Sequence, residues 1–193
     1  MRALVLASTS PRRRELLREA GLRFQVLSPD VDESALAAEP PEDTARRLAL
    51  AKASAVLPQV ARETCILGAD TIVVIDGAQL GKPRDADEAV EMLLRLAGRT
   101  HRVLTGFALL VPALGVRESG VVESFVRMHP IERVTAEKYA ASGEPLDKAG
   151  AYAAQGEGAR FIAEIRGSRA NVIGLPVEEL GPRLARLGVT KHE

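Results

Sequence analysis

Two charged residues, Asp70 and Lys82, lie in a predicted core hairpin whose fold does not require them. Asp70 and Thr71 interrupt an apolar stretch that continues through residues 72–75, and Lys82 follows the hairpin's short return arm, between a glycine and a proline. A carboxylate in a strand bound for a core is costly unless it is paired or holds a cation. We therefore predict that Asp70 works with a metal ion and a water molecule, and that Lys82 faces a phosphate. The alternative is that Asp70 ends the strand at a solvated edge, since such carboxylates also occur in structural ion pairs.

Residues 8–14 read Ser-Thr-Ser-Pro-Arg-Arg-Arg and follow a strand-like segment. A serine is a good helix cap and a proline suits the first helical position, so a helix should begin here. Three positive side chains in its first turn oppose the helix dipole, which favours anions at that end. The segment therefore predicts a phosphate cradle, and the alternative is a solvated charged face balanced by two glutamates further along the helix. The candidate substrate contacts of this cradle are Ser8, Ser10, Arg12 and Arg13.

Glu33 closes an acidic patch, residues 30–33, that contains three carboxylates. These groups could simply be solvated, or they could supply oxygen ligands for Mg²⁺, which usually binds one or two carboxylates together with substrate phosphates. Lys52 lies beside the apolar face of a helix predicted over residues 44–57. A snorkelling aliphatic stem explains that position without any function. However, only five of the 26 cationic residues are lysines, and the rest are arginines. A lysine in such a chain is expected where a compact ammonium is needed, as beside a phosphate.

Residues 143–158 are dense in glycine and polar residues. Such a run inside a compact domain is typical of a binding loop, because glycines let the backbone approach a ligand closely. Lys148 and Gln155 belong to it. The amide of Gln155 presents a donor and an acceptor together, and such a group can pair with the O4 and N3–H edge of uracil or thymine.

The elements that must position these residues are short and alternate in type. Strands are predicted at residues 3–7, 24–27, 66–83 (a hairpin that turns at Asp76-Gly77 and returns through Leu80), 101–111, 116–128 and 161–165. Helices are predicted at residues 11–20, 44–57, 85–97, 135–142 and 176–187, and a tight turn at residues 167–171. His101, at the start of its strand, is interpreted as a hydrogen-bonded structural residue, because nothing nearby resembles a nucleophile that it could activate.

Composition excludes several classes of protein. The 193 residues carry 26 cations and 26 anions, so no net field would attract DNA, RNA or an anionic membrane. Apolar runs are too short for a signal peptide or a membrane span. Cys65 is the only cysteine, which excludes internal disulfides and favours a reducing, cytoplasmic compartment. The length and the hydrophobic content of 46% predict a single domain over residues 1–193, or two lobes that share one sheet.

Several catalytic motifs are absent from the sequence. It contains no Walker phosphate loop, no dinucleotide fingerprint, no zinc-type Cys or His cluster and no Gly-x-Ser-x-Gly elbow. Acyl transfer, redox chemistry and zinc hydrolysis therefore lose support. The remaining cations and carboxylates would suit metal-assisted attack on a polyphosphate.

Six ordered blocks of the sequence resemble the Maf family of nucleoside triphosphate pyrophosphatases. The blocks are residues 6–17, 68–71, 81–83, 101–106, 143–152 and 167–172, and the resemblance runs from Ala3 to about Leu180. It implies an α/β fold with a central mixed sheet flanked by helices, in two lobes with a cleft between them, like the inosine triphosphate pyrophosphatases. It also implies a homodimer.

The resemblance implies hydrolysis of a nucleoside triphosphate to the monophosphate and pyrophosphate, with Mg²⁺ or Mn²⁺ as cofactor. Asp70 matches the catalytic acid that activates water, and Glu33 a second acidic position near the metal, so both are expected to hold the ion across a cleft from the cations. The phosphate-facing cations of the family match Arg12, Arg13, Lys52 and Lys82. Thr71 and Gln155 match the specificity positions of the subfamily that prefers dTTP and UTP. A nucleotide-binding regulator of cell division without turnover is the alternative.

Overall fold

The computed structural model describes residues 2–34, 36 and 38–190, and their strands form one mixed sheet. The strands are β1 (Leu4–Ala7), β2 (Gln25–Leu27), β3 (Cys65–Ile75), β4 (Ala78–Leu80), β5 (Thr100–Val111), β6 (Val116–Met128) and β7 (Ile162–Arg166). The helices are α1 (Pro11–Glu19), α2 (Pro41–Ala55), α3 (Ala86–Leu96), α4 (Arg133–Ala141), α5 (Arg169–Ile173) and α6 (Val177–Arg186). Short 3₁₀ helices lie at Leu57–Gln59, Pro112–Leu114, Glu144–Asp147, Ala149–Ala151 and Gly156–Phe161.

The strand order is β2-β1-β3-β5-β6-β7, and β4 pairs with β3. Strand β1 runs parallel to both of its neighbours, with Leu6 opposite Val26 of β2 and Leu67 of β3. Strands β3 and β4 are antiparallel, and so are β6 and β7. The predicted mixed α/β class is therefore confirmed. Within the described residues, no helix is long and apolar enough to cross a lipid bilayer.

The chain divides into two compact units. The first comprises Met1–Asp70, Thr105–Val122 and Gly174–Glu193, and the second comprises Thr71–Leu104 and Glu123–Ile173. Strands β3, β5 and β6 contribute residues to both units. The assignment of the whole chain to one domain, and the cleft, stay predictions.

In the first unit, helix α2 lies unusually close to strands β3 and β5. A Cβ atom added to Gly68 of β3 would lie 2.2 Å from the carbonyl oxygen of Ala49, and one added to Gly106 of β5 would lie 2.1 Å from that of Ala45. Only glycine leaves room for such an approach of helix to sheet. The contact continues into an apolar cluster that includes Ala49, Ala53 and Ile66.

The second unit has its own apolar core, built around α3 and α4. Helix α3 begins as predicted, because the Asp85 carboxylate accepts the backbone N–H of Glu88 at 2.8 Å. The predicted hairpin is also confirmed: Asp76 and Gly77 have φ values of 52° and 73°, as a two-residue turn between twisted strands requires. The strands and helices of the second unit bury one apolar core that includes Leu93, Leu96 and Tyr139.

Two predicted elements differ from the structure. Helix α2 begins at Pro41 rather than at residue 44, because a proline suits the first helical position. The tight turn predicted at residues 167–171 is wrong: α5 occupies Arg169–Ile173, and the Oγ of Ser168 accepts the backbone N–H of Asn171 at 3.0 Å. The buried Asn171 amide also donates to the carbonyl oxygen of Val103 at 3.2 Å, a contact that local sequence cannot reveal.

Candidate active site

The turn after β1 is built from two hydroxyl groups and one arginine. Ser10 caps α1 as predicted, since its Oγ accepts the backbone N–H of Arg13 at 3.4 Å. The Oγ of Ser8 accepts the backbone N–H of Ser10 at 3.2 Å and the Nη1 of Arg13 at 3.2 Å. The Nε of Arg13 donates to the carbonyl oxygen of Gly174 at 2.8 Å. Two acceptors thus fix the Arg13 guanidinium beside the turn.

Arg13 is a buried cation near two carboxylates. Burial lowers the pKa of its guanidinium, whereas the charges of Asp70 and, more weakly, Glu33 raise that pKa. An arginine stays charged in proteins, so burial here concentrates positive charge near the two acids. A solvated charged face is therefore wrong for Arg13, while Arg12, in the same turn, is half-buried.

Lys52 joins Asp70 and Glu33. Its Nζ lies 2.6 Å from Oδ1 of Asp70 and 2.6 Å from Oε1 of Glu33. The side chains of Lys52 and Asp70 are 7% and 11% exposed, whereas that of Glu33 is 44% exposed. The snorkelling interpretation of Lys52 and the solvated edge at Asp70 are therefore both wrong. Glu33 and Asp70 both contact this one ammonium group, so Lys52 lies between the two acids rather than opposite them as expected.

The sequence positions these three groups by different means. Asp70 is fixed by β3, and Lys52 reaches it because α2 lies against that strand at Gly68. Glu33 comes from the irregular segment before α2.

The chain leading from Glu33 into α2 is tied to that helix. The Glu39 carboxylate accepts the Nε and Nη2 of Arg47, each at 2.8 Å, and the hydroxyl of Thr44 at 2.9 Å. Pairing with Arg47 lowers the pKa of Glu39 to about 2. Arg47 also donates to the carbonyl oxygen of Ser34 at 3.2 Å, next to Glu33. Sequence reasoning missed this anchor, because a contact between a loop and a helix has no fixed spacing.

Glu33 and Asp70 are chemically suited to a hard divalent cation. Among residues 2–34, 36 and 38–190, no group of three or more His, Cys, Asp or Glu side chains could hold a metal by itself. A closed zinc site would need such a group. Mg²⁺ usually binds one or two carboxylates plus substrate phosphates, and these two residues match that donor set.

The other predicted site residues belong to the second unit. Thr71 follows Asp70 on β3 and is half-buried, and Lys82 is exposed just after β4. The backbone N–H of Gly150 donates to the carbonyl oxygen of Gly81 at 3.0 Å. This bond places the chain at Lys82 beside the glycine-rich segment.

Lys148 and Gln155 both lie in that segment. Lys148 is buried, and its Nζ donates to the carboxylate of Asp147 at 2.6 Å and to the carbonyl oxygen of Glu144. Lys148 thus takes part in the internal bonding of the segment, and its contact with substrate stays a prediction. Gln155 is half-buried.

Comparison with known proteins places the chain in one family. The model of the family described as Maf-like protein matches residues 3–187. A protein from Symbiobacterium thermophilum, named dTTP/UTP pyrophosphatase, is 48% identical over 97% of this chain and 95% of its own length. A protein of that name from Vibrio cholerae is 47% identical over 91% of this chain and 93% of its own.

A crystal structure described as a nucleoside-triphosphatase / dITP/XTP pyrophosphatase from Mycobacterium abscessus is 17% identical. It matches with a TM-score of 0.46 over 96% of this chain and 98% of that one. The family is decided by the family model and by the sequence relatives, whose alignments span nearly the whole chain. This chain belongs to the Maf family.

Proposed function

We propose that this protein is a nucleoside triphosphate pyrophosphatase that hydrolyses dTTP and UTP to the monophosphate and pyrophosphate. The names of the sequence relatives support the substrate class. The observation that carries the chemistry is the buried Lys52, whose ammonium holds the carboxylates of Asp70 and Glu33 at 2.6 Å each. Acids and cations gathered in this way suit water attack on a polyphosphate.

Asp70 is the proposed general base. Its carboxylate would accept a proton from the attacking water, the water oxygen would bond to the α-phosphorus, and the bond from the α-phosphorus to the bridging oxygen would break. Pyrophosphate would leave with that oxygen. Arg12, Arg13, Lys52 and Lys82 would stabilise the negative charge that develops on the phosphate oxygens.

Glu33 and Asp70 would hold a divalent cation, Mg²⁺ or Mn²⁺. When bound, such an ion neutralises phosphate charge and lowers the pKa of a coordinated water. Lys52 would then have the triphosphate oxygens as alternative partners, because the substrate brings its own negative charge. Ser8 and Ser10 would complete the cradle around the phosphates as neutral hydrogen-bonding groups.

Thr71 and Gln155 are the proposed selectivity residues, and Lys148 a further substrate contact. The amide of Gln155 would pair with the O4 and N3–H edge that uracil and thymine share and that cytosine lacks. We further propose that the protein works as a homodimer, as the resemblance to the Maf family implies. We place it in the cytoplasm, since its single cysteine favours a reducing compartment, and its zero formal charge disfavours a nucleic-acid partner.

The test is product analysis with the full chain. UTP, dTTP, CTP, ATP and GTP are incubated with Mg²⁺, Mn²⁺ or a chelator in water enriched in oxygen-18, and the products are followed by phosphorus NMR and mass spectrometry. We expect UMP and dTMP with the label in the monophosphate, pyrophosphate without label, and no turnover with chelator.

Other products would identify another function. Nucleoside diphosphate plus phosphate would indicate a terminal phosphatase. Saturable nucleotide binding without any product would indicate a regulator without turnover. Label in pyrophosphate instead of the monophosphate would move the attack to the β-phosphorus.

A further inference from the structure

A single carboxylate, that of Glu144, holds the backbone that follows Gln155. Its Oε2 accepts the backbone N–H of Glu157 at 3.2 Å, and its Oε1 accepts the backbone N–H of Gly158 at 3.3 Å. These two N–H groups follow Gln155 in the chain by two and three residues. The Glu144 side chain thereby fixes the course of the backbone after the proposed base-reading residue.

The Tyr139 hydroxyl extends the same network to the other flank. It donates to Oε1 of Glu144 at 3.1 Å and accepts the backbone N–H of Ala153 at 3.3 Å. The ring is buried on α4 and packs edge-on against Phe161, with centroids 5.1 Å apart. Burial and the Glu144 charge raise the pKa of Tyr139, so the phenol stays protonated and able to donate.

Two further contacts restrict the same stretch. The Nη2 of Arg169 donates to the carbonyl oxygen of Ala154 at 2.7 Å, directly before Gln155. Gly156, directly after it, has a φ of 65°, and a Cβ there would lie 3.0 Å from Oε1 of Glu144. The backbone on either side of Gln155 is thus held at defined points. Gln155 is also the only residue in the sequence 143–158 with an amide side chain.

We propose that Glu144 is a specificity-determining positioning residue: with the Tyr139 hydroxyl, its carboxylate holds the backbone so that the Gln155 amide selects uracil and thymine. The inference rests on the proposed function, in which Gln155 reads the base edge. An amide discriminates a carbonyl from an amino group only when its own position is fixed, because a mobile amide can rotate to satisfy either. Glu144 supplies that restriction without touching the nucleotide.

The test compares UTP with CTP, which differ at the edge that Gln155 would read. Glu144→Gln keeps the size of the side chain but turns one acceptor into a donor that faces backbone N–H groups. We expect the ratio of kcat/KM for UTP to that for CTP to fall about tenfold, mainly through the KM for UTP. Tyr139→Phe removes only the hydroxyl and should lower the ratio in the same direction. Glu137→Gln makes the same change of charge as Glu144→Gln at an exposed position of α4, the helix that carries Tyr139, and should leave the ratio unchanged.

A double-mutant cycle separates positioning from general loosening. If Glu144 acts through Gln155, Glu144→Gln should not change the UTP/CTP ratio further in a Gln155→Ala background. Two outcomes in an active wild-type background overturn the inference but not the proposed function. One is an unchanged UTP/CTP ratio in Glu144→Gln. The other is an equal fall of the ratio when Glu144→Gln is added to the wild type and to Gln155→Ala. If Glu144→Gln does not fold, Tyr139→Phe decides by the same two criteria. A wild type that releases no pyrophosphate from UTP overturns the proposed function, and the inference with it.

Discussion

Lys52 and Asp70 form a buried ion pair in which the Nζ and Oδ1 atoms lie 2.6 Å apart. The same ammonium lies 2.6 Å from Oε1 of Glu33. Two acids that share one cation are held close together without the repulsion they would otherwise feel, because the ammonium lies between them. The ammonium of Lys52 therefore keeps the two carboxylates next to each other.

Asp70→Asn should lower kcat by about 100-fold or more, the usual contribution of a positioned general base. The amide keeps the shape of the side chain but cannot take a proton from water, so KM for the nucleotide should change much less. The measurement is steady-state pyrophosphate release from UTP. Asp43→Asn is the matched control, because Asp43 is exposed on α2 and forms a surface ion pair with Arg46. Near-normal turnover of Asp70→Asn would remove Asp70 from the mechanism.

Lys52→Met should make the protein bind Mn²⁺ more tightly in the absence of nucleotide. Loss of the ammonium leaves the carboxylates of Glu33 and Asp70 without their shared cation. We expect at least fivefold tighter binding, since a unit charge about 4 Å away is worth on the order of 1 kcal/mol in water and 4 kcal/mol near a protein surface. Paramagnetic resonance of free Mn²⁺ during titration measures this directly. Equal or weaker binding than in wild type would show that the two carboxylates do not form a cation site.

Arg46→Met is the control for that experiment. Arg46 is an exposed cation on the same helix as Lys52, and it forms a surface pair with Asp43 at 2.7 Å. Its removal changes the net charge by the same amount but should leave Mn²⁺ affinity close to that of wild type, because exposed charges are screened by salt.

The parts of this site that depend on neighbouring residues in sequence could be predicted. The start of α1 after its cap Ser10 and the turn at Asp76-Gly77 follow from capping and turn chemistry, which act within four residues. A carboxylate at position 70 inside an apolar strand was a sufficient signal that something must pair with it.

The partners themselves could not be predicted. Lys52 meets Asp70 because Gly68 lets α2 approach β3, and the crossing of a helix over a sheet leaves no periodic signal in sequence. Helix α5 was missed for a related reason. Residues 167–171 contain breakers and polar side chains, but Asn171 is buried and bonds to Val103, which lies 68 positions away. Such long-range contacts override local preference.

Gly68→Ala should destabilise the protein by about 1 to 3 kcal/mol, the usual cost of overpacking. The added methyl would lie 2.2 Å from the carbonyl oxygen of Ala49, so α2 must move away from β3 and carry Lys52 away from Asp70. Activity should therefore fall even in the fraction that stays folded. Urea unfolding and pyrophosphate release measure the two effects.

Gly181→Ala is the matched control for Gly68→Ala. Gly181 lies inside α6, and a Cβ there would meet nothing within 4 Å. A helix interior favours alanine over glycine by roughly 0.5 to 1 kcal/mol, but a Cβ is disfavoured directly before Pro182, so the net change in stability should be small and activity should be unchanged. Equal stabilities of the Gly68→Ala variant and the wild type would contradict the close approach of α2.

His101 should make stability depend on pH. Burial lowers its pKa to about 4, and its Nε2 lies 2.8 Å from the hydroxyl of Tyr152. The unfolded chain, with an ordinary histidine pKa near 6.5, binds the proton at a higher pH than the folded chain does. Stability is therefore complete above about pH 6.5 and falls as the pH drops toward 4, by about 2 kcal/mol between pH 7 and pH 5.

Urea unfolding of wild type and His101→Gln at pH 7 and pH 5 tests this dependence. Glutamine does not titrate, so the variant should be less stable at pH 7 but should lose about 2 kcal/mol less than wild type on acidification. The same loss in both proteins would assign the pH dependence to other groups.

Gln155→Ala should weaken turnover of dTTP and UTP selectively. Removing the amide deletes the groups proposed to pair with O4 and N3–H, while the phosphate contacts remain. We expect kcat/KM for UTP and dTTP to fall by roughly 10- to 100-fold and kcat/KM for CTP and ATP to change little, as when a site loses polar contacts to one substrate class. Gln59→Ala is the control, because Gln59 is exposed and is not one of the proposed substrate contacts. It should leave all four values of kcat/KM unchanged. A uniform loss on every nucleotide would mean that Gln155 only shapes its loop, and base selection would then have to come from Thr71 or from the backbone.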